Sequence, residues 1–273
     1  MVIIGGVFMY KIDIIMGVYN CSNYLSNCIN SLLNQTFNDW RLIICDDGSI
    51  DDTYKVALQY EKKYKDRILL LKNEKNMGLN FTLNKCLKMV TAPYVARMDA
   101  DDFSSVDRLQ KELNFLESNL QYAFVSSNAT LFDDTGVWGS LLYVEKPSKL
   151  DFLKISPFCH AAMMIRTSAI KSVNGYTVDK KLIRVEDYHL WFKLYAAGYK
   201  GYNIQEFLYS IRDDRDSASR RNWQNRKNEY YVRKIGFKML RIPWYFGCYK
   251  YRPLLLGLLP SRVYLFLHKK RLK

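Results

Sequence analysis

Three acidic clusters hold the residues best suited to chemistry in this chain: Asp46-Asp47, Asp99-Ala100-Asp101-Asp102 and Glu186-Asp187. Hard divalent cations take oxygen ligands. Mg²⁺ or Mn²⁺ commonly sits on one or two carboxylates plus substrate phosphates. Asp99 and Asp101 would share one side of an extended strand end, because side chains alternate there. Three carboxylates within four residues repel one another unless a cation or hydrogen-bond donors lie close. A solvated turn or a helix N-cap would also use Asp. An apolar strand running straight into Asp-Ala-Asp-Asp weighs against that alternative. Asp46-Asp47 alone suits a turn as well as a ligand site. For Glu186-Asp187 alone, favourable charge at a helix start is the default reading.

Other chemistries lack their residues. The sequence has no G-x-x-x-x-G-K-[ST] or G-x-G-x-x-G loop to cradle phosphate. It has no H-E-x-x-H or G-x-S-x-G. The three histidines, His160, His189 and His268, are dispersed. His160 lies nearest the candidate chemistry and reads first as a hydrogen-bonded structural residue. The six cysteines have no C-x-x-C spacing, so neither a zinc site nor a disulfide framework is indicated, and a reducing cytoplasm is expected.

The elements that must position the acids alternate in type. Residues 12–18 (IDIIMGV) form an almost continuous apolar run, as in a strand buried on both faces. Strands are also expected at 40–45, 67–71 and 94–98. Helices are expected at 22–33, 52–64 and 78–89, the last with Leu79, Leu83 and Leu87 on one stripe. This alternation predicts a mostly parallel sheet with flanking helices, in which ligands bind at the carboxyl ends of strands. Asp46-Asp47 and Asp99–Asp102 fall at two such ends. Beyond residue 102 the pattern is mixed: helices at 107–118, 187–197 and 222–240, and strands at 122–127 and 161–165.

Charge divides the chain differently. Of its 273 residues, 49% are hydrophobic, which excludes a disordered protein, and the formal net charge is +14. Residues 1–199 hold 23 basic and 22 acidic side chains, whereas residues 200–273 hold 18 and 5. The expected division is a catalytic domain over 1–220 and a helical, basic amphipathic tail over 221–273. The tail mixes Trp, Tyr, Phe and Leu with Lys and Arg, a composition that suits the headgroup level of a bilayer better than nucleic acid. Packing of the tail on its own domain or a partner subunit is the alternative. No apolar run is long enough to span a membrane. The first sixteen residues lack a basic n-region, so no signal peptide is expected. A cytoplasmic protein, peripheral on the inner membrane, is the resulting expectation, with no nucleic-acid partner.

In order along the chain stand Val18-Tyr19-Asn20, Ser31-Leu32-Leu33-Asn34-Gln35-Thr36-Phe37, Asp46-Asp47-Gly48-Ser49, Asn76-x-Gly78, Ala96-Arg97-Met98-Asp99-Ala100-Asp101-Asp102, Gly175-Tyr176 and Glu186-Asp187-Tyr188-His189-Leu190-Trp191. This ordered set, over about residues 12–220, resembles the bacterial family-two inverting glycosyltransferases with the GT-A fold. The resemblance implies a nucleotide-diphosphate sugar donor, most simply a UDP-sugar, and a glycan or lipid-linked acceptor in surface polysaccharide or lipopolysaccharide assembly. It places Val18, Tyr19, Asp47, Arg97 and Asp99 at the nucleotide-sugar. Asp47 would accept from the base and Asp99 would meet the ribose. Asp101 would bind Mn²⁺ or Mg²⁺, with Asp99 and Asp102 beside it. Asp187 would be the general base and Glu186 its helper.

Two departures stand out. Residues 209–219 lack the histidine that many relatives use as a metal ligand, and Arg212, Arg215, Arg220 and Arg221 could meet the diphosphate instead. The Q-x-x-R-W signature of processive synthases is absent, which favours single transfer. Two rival functions remain from the sequence: a nucleotidyltransferase, and a non-catalytic protein that binds an anionic surface.

Overall fold

The computed structural model describes residues 2–4, 7–213 and 223–259. A short hairpin, β1 (Val2–Ile4) and β2 (Val7–Met9), precedes the main sheet. The chain then alternates through β3 (Ile12–Val18), α1 (Ser22–Leu33), β4 (Trp40–Asp46), α2 (Thr53–Lys63), β5 (Ile68–Lys72), α3 (Leu79–Lys88) and β6 (Tyr94–Arg97). The two-residue strand β7 (Phe103–Ser104) and helix α4 (Arg108–Ser118) follow. A long strand β8 (Phe124–Asp133) pairs with β9 (Gly136–Leu141). After β10 (Met164–Arg166) come α5 (Thr167–Ser172), α6 (Glu186–Ala196), β11 (Gly201–Arg212), α7 (Trp223–Met239), a 3₁₀ helix (Trp244–Tyr251) and α8 (Arg252–Gly257).

The main sheet has nine strands in the order β5-β4-β3-β6-β10-β8-β11-β7, with β9 on β8. β5, β4, β3 and β6 are parallel, β10 opposes both neighbours, and β8 and β11 run parallel to each other. Six strands therefore aim their carboxyl ends at one edge. The expected α/β architecture is present, and the sheet becomes mixed where the sequence pattern does.

Side-chain alternation explains why β3 and β4 read as unbroken apolar runs. Ile12, Ile14 and Met16 of β3, with Leu42 and Ile44 of β4, face a core shared with α1 and α4. Ile15, Ile43 and Cys45 face the opposite core, with α3, α5 and α6. A strand covered on both faces has no polar side to show.

Helix α7 belongs to the second core, where Val232 and Phe237 pack with Phe152, Tyr188 and Phe192. Gly236 allows the approach: a Cβ there would lie 2.3 Å from the Phe192 ring. The expected boundary at residue 220 thus separates elements that share one core. The 3₁₀ helix Trp244–Tyr251 buries none of its residues, and Trp244 and Tyr245 are exposed. The basic cluster His268–Arg271 and the arginines Arg215, Arg220 and Arg221 lie outside the described residues. Among the described residues no helix is long and apolar enough to cross a membrane.

Candidate active site

The carboxyl ends of β3 and β4 meet in register, with Val18 opposite Asp46. Val18 is buried, and its carbonyl accepts the Asp47 amide at 2.8 Å. Tyr19, the next residue, stands open to solvent. Asp47 organises the neighbouring loop. Its Oδ1 accepts from Asn73 Nδ2 and the Met77 amide, and its Oδ2 from the Gly78 amide, all at 2.8 Å. Of the two oxygens, Oδ2 keeps the spare acceptor capacity that a nucleobase would need. Asp46 is fully buried; its Oδ2 accepts the Ser49 amide at 3.3 Å, and Oδ1 has no partner among the described residues. Gly48 turns the chain at φ +72°, where a Cβ would strike the Lys75 backbone at 2.6 Å.

At the end of β6, Arg97 is the hub. It is buried, and its guanidinium forks onto Asp99 at 2.7 and 2.5 Å. Burial opposes its charge, but the Asp99 carboxylate more than offsets this, so the guanidinium stays charged. The Arg97 carbonyl is held in turn by both terminal nitrogens of the buried Arg108, at 3.2 Å. The Asp99 amide donates to the hydroxyl of buried Tyr209 at 3.0 Å, which ties this turn to β11.

The three aspartates after β6 have different tasks. Asp99 is paired with Arg97. Asp102 is buried, accepts the Arg212 amide at 2.8 Å, and is pushed well above the ordinary carboxylate range by burial and by Asp99 and Asp101. Asp101 is exposed at the rim, yet neighbouring protein displaces enough solvent to raise its pKa, with repulsion from Asp99 adding to this. Arg212 lies close enough to act on Asp101 but pairs with Asp134 at 2.7 Å. Of Arg212, Arg215, Arg220 and Arg221, it alone lies among the described residues.

Glu186 and Asp187 open α6. Ser156 donates to Asp187 Oδ2 at 2.9 Å. Loss of solvent raises Asp187 above its ordinary value, while the Tyr188 amide, Ser156 and Arg97 work against the rise. Glu186 is pushed up to about 7 by burial and then by Asp187. Tyr176 fills the space between: it is buried, hydrogen-bonds His160 Nε2 at 2.8 Å, and feels Arg97, Glu186, Asp99 and Asp187. Burial and Arg97 hold His160 neutral, well below its usual pKa. Arg97 therefore forks onto Asp99 and lies near enough to Asp101, Glu186 and Asp187 for its charge to favour the ionised form of each. Asp47 lies farther along the same strand-end edge, beside Val18.

A family model for glycosyl transferase family 2 matches residues 13–173. The chain belongs to that family. Glycosyltransferase EpsE of Bacillus subtilis (strain 168) is 38% identical over 261 residues, covering 96% of this chain and 94% of that protein. The Escherichia coli protein named UDP-Glc:alpha-D-GlcNAc-diphosphoundecaprenol beta-1,3-glucosyltransferase WfaP is 31% identical over 199 residues, covering 71% of this chain and 74% of that one. The mannosyltransferase PcManGT from Pyrobaculum calidifontis, solved with GDP-Man and Mn²⁺, matches at a TM-score of 0.64 and 16% identity, over 96% of this chain and 80% of its own. At that identity the likeness is one of fold, GT-A. This family-two chain is a glycosyltransferase, which removes both the nucleotidyltransferase and the non-catalytic alternatives.

The donor set suits a divalent cation in part. Asp101 offers an exposed hard-oxygen donor with a repelling carboxylate beside it, which a cation would relieve. Among the described residues no group of three or more His, Cys, Asp or Glu is gathered to hold an ion. Mg²⁺ and Mn²⁺ tolerate this, since substrate phosphates and water complete their coordination. Sequence reasoning did not single out Ser156, Arg108 or Tyr209. Each is a single residue with no local pattern, and only the fold brings it to the acids.

Proposed function

We propose that this family-two glycosyltransferase moves one sugar, with inversion, from a nucleotide-diphosphate sugar to a hydroxyl of a glycan or lipid-linked acceptor in bacterial surface polysaccharide assembly. A hexosyl or N-acetylhexosaminyl group from a UDP-sugar fits the reading. It is supported by the UDP-Glc donor and diphosphoundecaprenol-linked acceptor in the name of the Escherichia coli relative. The observation that carries the mechanism is Arg97, which acts on Asp99–Asp101 and on Glu186–Asp187 at once.

In this reading Val18, Tyr19 and Asp47 meet the nucleoside. Asp101 and Asp99, with Asp102 behind them, would hold Mn²⁺ or Mg²⁺. When bound, the cation offsets negative charge growing on the diphosphate leaving group. Asp187 takes the proton from the acceptor hydroxyl as that oxygen attacks the anomeric carbon. Glu186 keeps the acceptor and Asp187 in register. One base and one displacement give inversion. The exposed aromatic residues and basic charge of the tail hold the enzyme at the cytoplasmic membrane surface, where a lipid-linked acceptor would be met.

The test is a screen of nucleotide sugars for Mn²⁺- or Mg²⁺-dependent turnover, followed by Asp187→Asn. The variant should lose about 10²- to 10⁴-fold in kcat while the donor KM changes little. If it turns over donor as fast as the wild type, the assigned base is wrong.

A further inference from the structure

The loop over residues 152–157 connects the C-terminal helices to the proposed base. Ser156 Oγ, in this loop, donates to Asp187 Oδ2 at 2.9 Å. Four carbonyls of the loop are held by side chains. Phe152 O accepts the Tyr188 hydroxyl, and Pro157 O accepts Asn203 Nδ2 at 3.0 Å. Leu153 O and Lys154 O accept the two terminal nitrogens of Arg233 at 2.5 and 2.7 Å. Arg252 adds a further bond to Lys154 O at 2.6 Å.

Arg233 is an unusual anchor. It sits on α7, is only 3% exposed, and lies 5.4 Å over the Tyr188 ring. Its terminal nitrogens end on two backbone carbonyls. A buried cation is costly unless its donors are used, so its fixed fork selects one arrangement of the acceptor loop. Tyr188, under this guanidinium, directly follows Asp187 in α6. The same arginine thus touches both the loop that carries Ser156 and the helix turn that carries Asp187.

We propose that Ser156 is a positioning residue for Asp187, and that Arg233 sets Ser156 by holding the 152–157 loop. The inference rests on the assignment of Asp187 as base. The C-terminal helices are then part of the catalytic scaffold: the charged fork on α7 defines where a hydroxyl on another element meets the carboxylate.

The groups that face Asp187 give the expected sign. Arg97 of β6, the α6 amides and Ser156 favour its charged form; Glu186 and Tyr188 of α6 and Tyr176 from the turn after α5 are the other titratable neighbours. Removing the Ser156 hydroxyl leaves the carboxylate less stabilised, so its pKa rises and the acid limb of kcat moves to higher pH.

The experiment compares pH profiles of kcat and the donor KM for the full chain, Ser156→Ala, Ser156→Thr, Arg233→Lys and Asp187→Asn, with thermal melts as a check on folding. Ser156→Ala should shift the acid limb up by about one pH unit. It should lower kcat roughly tenfold near neutrality and leave the donor KM within about twofold. Ser156→Thr should restore the wild-type limb. Arg233→Lys, which keeps charge but loses the fork, should shift the limb the same way by less. A wild-type limb and kcat in Ser156→Ala overturn the role of Ser156. Loss of kcat in Arg233→Lys with an unmoved limb overturns that of Arg233. Wild-type turnover in Asp187→Asn overturns the base assignment instead, and is read independently of both.

Discussion

Asp13 and Asp101 show how differently two carboxylates of one molecule are treated. Asp13 is fully buried and satisfied: Arg41 forks onto it at 2.8 and 2.9 Å, and the Thr91 and Ala92 amides donate at 2.8 and 3.0 Å. Such a residue holds strands together. Asp101 is open to solvent, is raised by loss of solvent and by Asp99, and takes no side-chain hydrogen bond among the described residues. In the proposed reading its charge meets a cation that arrives with the substrate. Replacing Asp101 by Ala should therefore weaken Mn²⁺-dependent binding of a nucleoside diphosphate by at least about tenfold, or 1.4 kcal/mol, in calorimetry. Binding without metal should change little. An unchanged Mn²⁺ effect would remove Asp101 from the cation site. The acids were legible in the sequence because type, spacing and an apolar lead-in coincide at Asp99–Asp102. Ser156 was not legible as a partner of Asp187, because a lone hydroxyl forms no pattern and the two residues come from distant segments.

At the scale of elements, the sequence pattern found β3, β4, β5 and β6 and helices α1 to α4 nearly to the residue, because each carries one clear period. It did not find β11. That strand pairs with β8 through register shifts around residues 204–209, and its middle, Gln205-Glu206-Phe207, is exposed. An exposed break inside a buried strand erases the alternation on which a strand reading depends. Helix α4 holds a second surprise. Its inward face buries Arg108 and Glu112, whose closest approach is 3.9 Å, and among the described residues neither Glu112 oxygen has a hydrogen bond. Burial pushes Glu112 up to about 8, and Arg108 opposes this only in part. The folded state then binds a proton that the unfolded chain releases near pH 4.5, so stability falls as pH rises from there to about 8. Glu112→Gln removes this dependence. Its melting temperature should gain on the wild type between pH 5 and 8, the gain corresponding to a few kcal/mol. A pH-independent difference would show that Glu112 is charged in the fold.

For the whole molecule, the question is which surface meets the acceptor. The chain carries +14, concentrated beyond residue 200, and the C-terminal elements split into two roles. Helix α7 faces inward, with Val232, Arg233 and Phe237 buried. The 3₁₀ helix after it packs Phe246 and Tyr249 against the second core but leaves Trp244 88% and Tyr245 60% exposed, with Lys238, Arg241, Lys250 and Arg252 nearby in the chain. In the proposed reading these two neighbouring aromatics enter the membrane interface. Basic residues beside them favour an anionic bilayer. Changing Trp244 and Tyr245 together to Ser, in the full chain, should cut partitioning onto phosphatidylglycerol-containing vesicles. Half-burial of two aromatics is worth about 2–3 kcal/mol, so the fall should be roughly 30- to 150-fold. Binding of the wild type should also weaken at high salt, because the cationic contribution is screened. Turnover on a water-soluble acceptor should persist, since both residues are exposed and the bonds of Arg233 and Arg252 to the 152–157 loop do not involve them. Equal vesicle binding by wild type and variant would mean that the aromatic pair does not enter the bilayer.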